Sequence, residues 1–195
     1  MKEPTQSHPP HRRVLITGVY GLIGSLIYER MQQESDRYEV HGLARRRVPS
    51  ERVSEEGIID IPEDRFVLSD MSDLDVLERA FEDMDVVIHM AACPDSLAPW
   101  EPILQSNIIG THNVLEAARR AGVRRVVYAS SSSVYGDAPE LPKREDMPPR
   151  PESPYAVSKL TAEHYCRVFT SLYGLEGMSL RYFNVFGPRQ DPDSQ

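Results

Sequence analysis

The sequence predicts an α/β fold built on a doubly wound parallel sheet with helices on both faces. Short apolar runs alternate along the chain with longer segments of helical periodicity, and this alternation implies right-handed crossovers between parallel strands. The run at 86–88 is apolar throughout, as expected for a strand covered on both faces. At 14–24 an apolar strand leads through three glycines into a helical segment, which is typical of this fold class.

Length and composition indicate one globular domain. The 195 residues are 40% apolar and 27% charged, and we place the domain at 12–195, after a polar, mobile tail at 1–11. The net charge of −8 disfavours nucleic acid or anionic membranes as partners. No apolar run could span a bilayer, no secretory signal is present, and Cys93 and Cys166 lie in no metal-binding spacing. We therefore expect a cytoplasmic protein with reduced thiols and no metal.

The elements of the first half follow from apolar periodicity and turn residues. Asp73 marks the start of a helix, and Leu74, Leu77 and Phe81 then share one helix face. The predicted elements are a strand at 13–17, a helix at 22–34, strands at 38–43 and 65–68, a helix at 73–82 and a strand at 85–90. Mixed charge, proline and glycine predict a long exposed loop at 45–62.

The second half repeats the alternation. Gly122 and Gly174 follow helical periodicity and mark helix C-termini. The predicted elements are a helix at 103–121, a strand at 125–129, a helix at 155–173 and a strand at 178–183. Proline-rich loops are expected at 94–102 and 136–154.

The glycines after the first strand are spaced three apart and suit the binding of an anion. Gly18 permits a sharp turn, Gly21 lets a pyrophosphate approach the backbone, and Gly24 lets helix and strand pack closely. The free N–H groups and the positive end of the following helix would face that anion. The alternative is an ordinary strand-to-helix turn.

Tyr155 and Lys159 stand four residues apart on one predicted helix face. A phenol has an ordinary pKa of about 10, and a neighbouring ammonium favours its charged form. The pair follows a proline-rich loop, where a sheet protein would build its site; the alternative is a surface helix pair.

Four serines, at 130–133, follow the predicted fifth strand. Such a run is usually a capped turn, and the sharper interpretation is a hydroxyl that hydrogen-bonds the reacting oxygen of a substrate beside Tyr155. His89, at the end of another apolar strand, is more often a core histidine than a catalyst.

Together these motifs resemble the extended short-chain dehydrogenases, the sugar-nucleotide epimerases and dehydratases with a Rossmann-like fold. The resemblance extends in order and spacing from about residue 13 to the end of the chain. It is carried by the glycine stretch, by the segments at 89–92, 107–111, 128–136 and 153–159, and by RYFNVFGP at 181–188.

The resemblance implies a role for each matching position. Tyr155 would be the general acid/base for a sugar hydroxyl, Lys159 would hold the nicotinamide ribose and favour the phenolate, and Ser131 would be the catalytic serine. Cofactor contacts would come from Gly18, Gly21, Leu22, Ile23, Gly24, Asp70, Met71, Ala91, Asn107, Tyr155, Lys159, Tyr182 and Phe183. Substrate contacts would come from Ser131, Ser133, Tyr155 and Asn184.

The residues after the second strand depart from the family pattern. Many members place an acidic residue there for the ribose hydroxyls, whereas this chain has Ala44 followed by Arg45 and two more arginines. An arginine would pair with a 2′-phosphate, so the cofactor is expected to be NAD or NADP, with Arg45 as a contact. A solvated basic loop is the alternative.

The chain ends where relatives continue into a substrate-binding region. We therefore expect a truncated chain whose cofactor half can bind nucleotide while its substrate site is incomplete. The resemblance also implies a homodimer formed through helices, for which Leu104, Leu115, Tyr165 and Phe169 are candidates; the same residues are equally compatible with the core.

Among the reactions of the family, dehydration is disfavoured, because Ser132 and Ser133 stand where that subfamily has Asp-Glu. Residues 181–193 look most like 4-epimerases of UDP-hexosamines and UDP-uronic acids, so we predict 4-epimerisation of a nucleotide sugar by transient oxidation. The alternatives are a net dehydrogenase or carbonyl reductase on a sugar or uronate, and a dinucleotide-binding protein without catalysis.

Overall fold

Six strands form one sheet in a computed structural model that describes residues 11–49, 53, 59–94, 98–137 and 139–191. The strands are β1 (Arg12–Thr17), β2 (Tyr38–Ala44), β3 (Phe66–Leu68), β4 (Val86–His89), β5 (Arg125–Ser131) and β6 (Glu176–Tyr182). Their spatial order is β3-β2-β1-β4-β5-β6, and every neighbouring pair is parallel. The predicted doubly wound parallel sheet is therefore confirmed.

The helices lie between the strands in sequence, as the alternation predicts. They are α1 (Leu22–Gln32), α2 (Leu74–Phe81), α3 (Trp100–Ile103), α4 (Gly110–Arg120) and α5 (Pro154–Tyr173). Asp73, where a helix start is predicted, caps α2 by accepting a hydrogen bond from the Val76 N–H. Gly174 ends α5 in the left-handed conformation, at φ 72°, which suits a glycine.

The predicted helix at 103–121 differs in the structure. It begins earlier, as α3, and passes through a π-helical turn at Leu104–Ile109 before continuing as α4. A π turn inserts an extra residue into the helix and is frequently found at functional sites. Here it carries Asn107, whose contacts are described below.

Each face of the sheet has its own core. Side chains of successive strand residues point to opposite faces, so Leu15 and Ile16, both fully buried, belong to different clusters. One cluster joins the sheet to α2, α4 and α5 through residues such as Phe81, Leu115 and Tyr128. The other joins the sheet to α1 and to the segment around Ile61. Covering both faces explains the continuous apolar run at 86–88 in β4.

The order of the strands reverses between β1 and β4. Thr17, the last residue of β1, pairs with His89, the last residue of β4. In doubly wound sheets the crevice outside the carboxyl ends at such a reversal is where ligands bind. The turn after β1 opens onto this crevice.

Element ends differ slightly from the predictions. Strand β4 is limited to Val86–His89, and β6 starts at Glu176, two residues before the predicted 178. The predicted tail lies outside the described residues except for His11, as does most of the middle of the predicted loop at 45–62. In the described part of the chain, no helix has both the length and the apolar composition that crossing a membrane requires.

Candidate active site

The turn after β1 is shaped by glycines, as the sequence predicts. Gly18 has φ 67°, and a Cβ there would lie 2.7 Å from the Ala91 backbone nitrogen. A Cβ on Gly24 would lie 2.4 Å from the Gly18 carbonyl oxygen. The Gly18 N–H donates to the Leu43 carbonyl at 2.8 Å, which ties the turn to the end of β2. Backbone therefore meets backbone here without room for side chains.

The N-terminus of α1 differs from those of α2 and α5. Asp73 and Ser153 supply side-chain caps to α2 and α5. The N-cap of α1 is Gly21, which has no side chain to offer, and the first turn carries no acidic residue. Uncapped helix N–H groups and the helix dipole favour an anion. The turn thus fits the pyrophosphate of a dinucleotide, with Leu22 and Ile23 half-buried beside it.

Tyr155 and Lys159 lie in the first turns of α5. Ser153 caps this helix by accepting from the Ala156 N–H at 3.1 Å, and Pro154 is preorganised for its first position. The Lys159 Nζ is 5.4 Å from the centre of the Tyr155 ring. The predicted pair is therefore confirmed as a spatial neighbour pair.

The Lys159 side chain is only 3% exposed. Its Nζ donates to the Ala129 carbonyl at 2.8 Å and lies 5.0 Å from the centre of the Tyr128 ring. Burial lowers the pKa of Lys159 to about 8. At neutral pH the amine is therefore still mostly charged, as a cation that supports a phenolate must be.

Ser131 ends β5 and caps the short helical turn Ser132–Tyr135. Its Oγ accepts from the Ser133 N–H at 3.2 Å and from the Ser133 hydroxyl at 2.9 Å. The turn packs against α5, which carries Tyr155. The capped-turn interpretation of the serine run is thus correct for Ser131, and it leaves the hydroxyl half-buried at the edge where Tyr155 lies.

Asn107, in the π turn, is 1% exposed and holds two neighbouring segments together. Its amide oxygen accepts from the Cys93 N–H at 2.7 Å, and its amide nitrogen donates to the Cys93 carbonyl and the Ser158 hydroxyl, both at 3.1 Å. The Ser158 hydroxyl in turn donates to the Tyr155 carbonyl at 2.7 Å. Asn107 thus links the segment after β4 to the helix that bears Tyr155, while a direct cofactor contact of Asn107 stays a prediction.

His89 is a core histidine, the more common of the two interpretations. One ring nitrogen is 2.7 Å from the Thr17 hydroxyl and the other is 3.0 Å from the Thr111 hydroxyl. Burial, with a smaller contribution from the charge of Lys159, lowers the pKa of His89 to about 3. The ring is therefore neutral at physiological pH and bridges β1 to α4.

Three predicted cofactor contacts, Arg45, Asp70 and Met71, lie just after β2 and β3. Arg45 and Asp70 are both exposed, and Arg45 Nε lies 3.8 Å from an Asp70 carboxylate oxygen. Met71 is 6% exposed. Arg47 has other partners, namely the Glu63 carboxylate and the Ile61 carbonyl. Arg45 therefore keeps an exposed guanidinium beside Asp70, whereas Arg47 is held by other groups.

The remaining predicted cofactor and substrate contacts lie at or just after the carboxyl ends of β4, β5 and β6. Burial raises the pKa of Tyr182. Phe183 is 59% exposed, and its ring stacks on Tyr135 with centroids 6.4 Å apart. Asn184 is exposed, Ser133 is half-buried, and Ala91 is half-buried next to Gly18. All of these lie at the carboxyl edge of the sheet, but their contacts with ligands stay predictions.

Sequence reasoning missed a buried cluster directly behind this edge. Glu163, 8% exposed, accepts from the Ser130 hydroxyl at 2.5 Å and from Arg181 in two hydrogen bonds at 2.9 and 2.8 Å. Burial alone would raise the pKa of Glu163, but the hydrogen bonds from Arg181 and Ser130 outweigh it, so the pKa lies below its usual value. The available signal was spacing, since Glu163 comes four residues after Lys159 on the same helix face.

Within the described residues, no group of three or more histidine, cysteine or carboxylate side chains could hold a metal ion. Cys93 is half-buried and Cys166 is buried, and both are free thiols. Burial raises the pKa of Cys166 to about 11, so this thiol is protonated at neutral pH.

Known proteins are similar to the chain in both sequence and fold. The chain is 37% identical over 191 residues to a UDP-glucose 4-epimerase of Mycolicibacterium smegmatis, covering 94% of this chain and 59% of that protein. It is 33% identical over 182 residues to an L-arabinose 1-dehydrogenase (NAD(P)+) of Haloferax volcanii, covering 87% of this chain and 65% of that protein.

A solved structure of Thermus thermophilus UDP-glucose 4-epimerase in complex with NAD matches with a TM-score of 0.81 and 39% identity, covering 94% of this chain and 58% of that one. The chain thus spans about three fifths of the length of such relatives. Residues 14–195 match the NAD dependent epimerase/dehydratase family. With the glycine turn, the Tyr155–Lys159 pair and the parallel sheet in place, the chain belongs to the NAD-dependent epimerase/dehydratase family.

Proposed function

We propose that the complete protein is an NAD-dependent nucleotide-sugar 4-epimerase that acts on a UDP-hexose, a UDP-hexosamine or a UDP-uronic acid. The observation that carries the proposal is the buried Lys159 ammonium beside Tyr155, at the same sheet edge as the uncapped glycine turn. The identity with 4-epimerases over 94% of the chain supports the reaction type.

The residues would divide the chemistry as follows. The glycine turn and the N-terminus of α1 would hold the cofactor pyrophosphate. Bound NAD would supply the hydride acceptor and donor at C4 of the sugar. Tyr155 would take the proton from the O4 hydroxyl and return it, with Lys159 stabilising the phenolate. Ser131 would hydrogen-bond the same oxygen and orient it.

The test uses the complete protein. It is incubated separately with UDP-glucose, UDP-N-acetylglucosamine and UDP-glucuronate in the presence of NAD, and the sugars are resolved by NMR. The proposal expects the 4-epimer of at least one of the three to form, with no net accumulation of NADH. Conversion of none of them would overturn the proposal.

A net sugar dehydrogenase is the second candidate, favoured by the identity with the L-arabinose 1-dehydrogenase. The same Ser131, Tyr155 and Lys159 would serve it, because removal of a hydroxyl proton is common to both reactions. One measurement separates the two candidates. A dehydrogenase releases one reduced cofactor for each sugar oxidised, whereas an epimerase returns its cofactor unchanged.

The choice between NAD and NADP depends on Arg45. Its guanidinium is exposed and lies near the Asp70 carboxylate, where a 2′-phosphate could pair with it but would also meet that carboxylate. We propose that NADP is accepted as well as NAD. Calorimetric titration should show that Arg45→Ala weakens NADP binding about tenfold and leaves NAD binding unchanged. Clearly tighter NAD binding that Arg45→Ala does not alter would contradict this.

The proposed homodimer would use the exposed apolar side chains of the π turn and α5. Leu115 and Phe169 lie in the core, whereas Leu104, Val168 and Leu172 are exposed. Light scattering on the wild-type protein and on Leu172→Glu tests this. A charge on an apolar dimer face should shift the mass toward the monomer, and an unchanged mass would contradict this use of α5.

A further inference from the structure

The Glu163 cluster joins α5 and β5, which carry the proposed catalytic residues, to β6, which carries the predicted cofactor contact Tyr182. Glu163 belongs to α5, Ser130 to β5 and Arg181 to β6. The carboxylate bridges the Ser130 hydroxyl and the Arg181 guanidinium at 2.5 to 2.9 Å. The side chains of Glu163 and Arg181 are 7% and 17% exposed. This is a nearly dry, bidentate ion pair of well-defined geometry.

The cluster sits one residue behind the site on both strands. Ser130 pairs with Arg181 in the sheet, and the next pair is Ser131 with Tyr182. Alternate strand residues point to opposite faces, so holding Ser130 and Arg181 against α5 fixes the orientation of the two residues that follow. On the helix, Tyr155, Lys159 and Glu163 recur every four residues along one face.

A second path leads from Arg181 to the end of β6. The Arg181 guanidinium carbon is 4.8 Å from the centre of the Tyr135 ring, within the range of a cation–π contact. Tyr135 stacks on Phe183 with the rings 27° apart in orientation. Arg181 therefore contacts the turn that Ser131 caps, and through Tyr135 it supports the ring of Phe183.

Stability alone gives little reason for a buried ion pair at this position. Removing two charges from water costs about as much free energy as their attraction returns, and apolar replacements are often neutral or stabilising. The orientation of the reacting groups is a stronger reason for the pair, because displacing a reacting group by about 1 Å can lower the rate roughly 100-fold.

We propose that Glu163 and Arg181 are positioning residues for the reaction. Their ion pair, together with the Ser130 hydroxyl, sets where Ser131 and Phe183 stand relative to Tyr155. This inference rests on the proposed function, because its effect on kcat can be measured only with a substrate that the protein converts. Hydrogen exchange on the 195-residue chain needs no substrate, so the inference and the proposed function can be tested separately.

The first test compares Glu163→Gln with Glu116→Gln in the complete protein. Glu116 is a matched control, since Arg119 and Arg120 hold its carboxylate at 2.7 to 2.8 Å on α4, away from the proposed site. We expect Glu163→Gln to lower kcat about 100-fold with KM changed less than threefold. We expect Glu116→Gln to change kcat less than twofold.

The second test separates positioning from stability. Glu163→Gln leaves the Arg181 charge buried without its counter-ion, so the double variant Glu163→Met/Arg181→Met removes both charges. We expect its unfolding midpoint to return close to that of the wild type while kcat stays at least 30-fold low. Recovery of kcat together with stability would show a merely structural role and overturn the inference. Ser130→Ala, which keeps the ion pair, provides a milder variant; it should lower kcat about fivefold and lower the midpoint only by the effect of one lost hydrogen bond.

The third readout needs no turnover. In the 195-residue chain, hydrogen exchange reports the Ser133 N–H, which donates to the Ser131 Oγ. We expect this amide to exchange at least tenfold faster in Glu163→Gln, which disrupts the ion pair, while amides of β1 keep their wild-type rates. Unchanged exchange at the Ser133 N–H would overturn the inference, whether or not the protein epimerises a UDP-sugar. Failure to epimerise any UDP-sugar would overturn the proposed function and leave this exchange measurement valid.

Discussion

At Gly24, backbone approaches backbone too closely for any side chain. A Cβ there would lie 2.4 Å from the Gly18 carbonyl oxygen. We expect Gly24→Ala to destabilise the fold by about 2 kcal/mol, in the range of overpacked positions, and to weaken NAD binding by displacing the N-terminus of α1. Denaturant unfolding and calorimetry measure the two effects. Gly187→Ala is the control, because a Cβ at Gly187 meets nothing within 4 Å, and equal effects of the two variants would contradict this account.

Lys159 is a residue whose burial costs stability. Its pKa falls from 10.5 to about 8 in the folded chain. Between these two values the unfolded chain binds more protons than the folded chain, so stability rises with pH there and the full cost is present below pH 8. We expect Lys159→Met to be more stable than the wild type at pH 7 by roughly 2 kcal/mol, after loss of the hydrogen bond to Ala129.

The measurement for Lys159 is chemical unfolding of the chain without cofactor at pH 7 and pH 10. The difference between Lys159→Met and the wild type should shrink as the pH rises toward 10. A wild type that is the more stable of the two at pH 7 would contradict the burial argument.

At the scale of elements, His89 joins β4 to β1 and α4 through Thr17 and Thr111. Its pKa is lowered from 6.5 to about 3 by burial and by the Lys159 charge. On acidification the unfolded chain takes up a proton first, so this contribution to stability is lost as the pH falls from about 6.5 toward 3. We expect the unfolding free energy of His89→Gln to fall less than that of the wild type over that pH interval, by up to roughly 4 kcal/mol.

Unfolding free energies at pH 7, 5.5 and 4.5 measure the slope for His89. His112→Gln is the control, because His112 is an exposed histidine on α4. His89→Gln is expected to be less stable than the wild type at pH 7, where it weakens two buried hydrogen bonds. Equal slopes in the wild type and His89→Gln would rule out His89 as the cause.

How far the sequence predicts the structure differs between elements. Apolar runs predict the strands because both faces of the sheet are covered, and the glycine spacing predicts the turn because each glycine meets backbone. The π turn at Leu104–Ile109 was not predicted, since its cause is tertiary: Asn107 must reach both Cys93 and Ser158. The Glu163–Arg181 pair was missed for a similar reason, because helix–strand packing, and no local pattern, brings the two residues together.

At the scale of the whole molecule, one hydrophobic core packs against each face of the sheet, and neither covers the carboxyl ends of the strands. The α1 side anchors the glycine turn, and the α4–α5 side anchors Tyr155, Lys159 and Ser131. The site therefore depends on both layers at once. The chain spans about three fifths of the length of such relatives.

The most direct test of this account is the turnover of Tyr155→Phe in the complete protein, measured with the UDP-sugar that the wild type epimerises. Loss of the phenolic oxygen removes the proposed general acid/base, so kcat should fall by about 10²–10⁴-fold, while calorimetric NAD affinity stays within threefold of the wild type. A variant that epimerises at the wild-type rate would contradict the account.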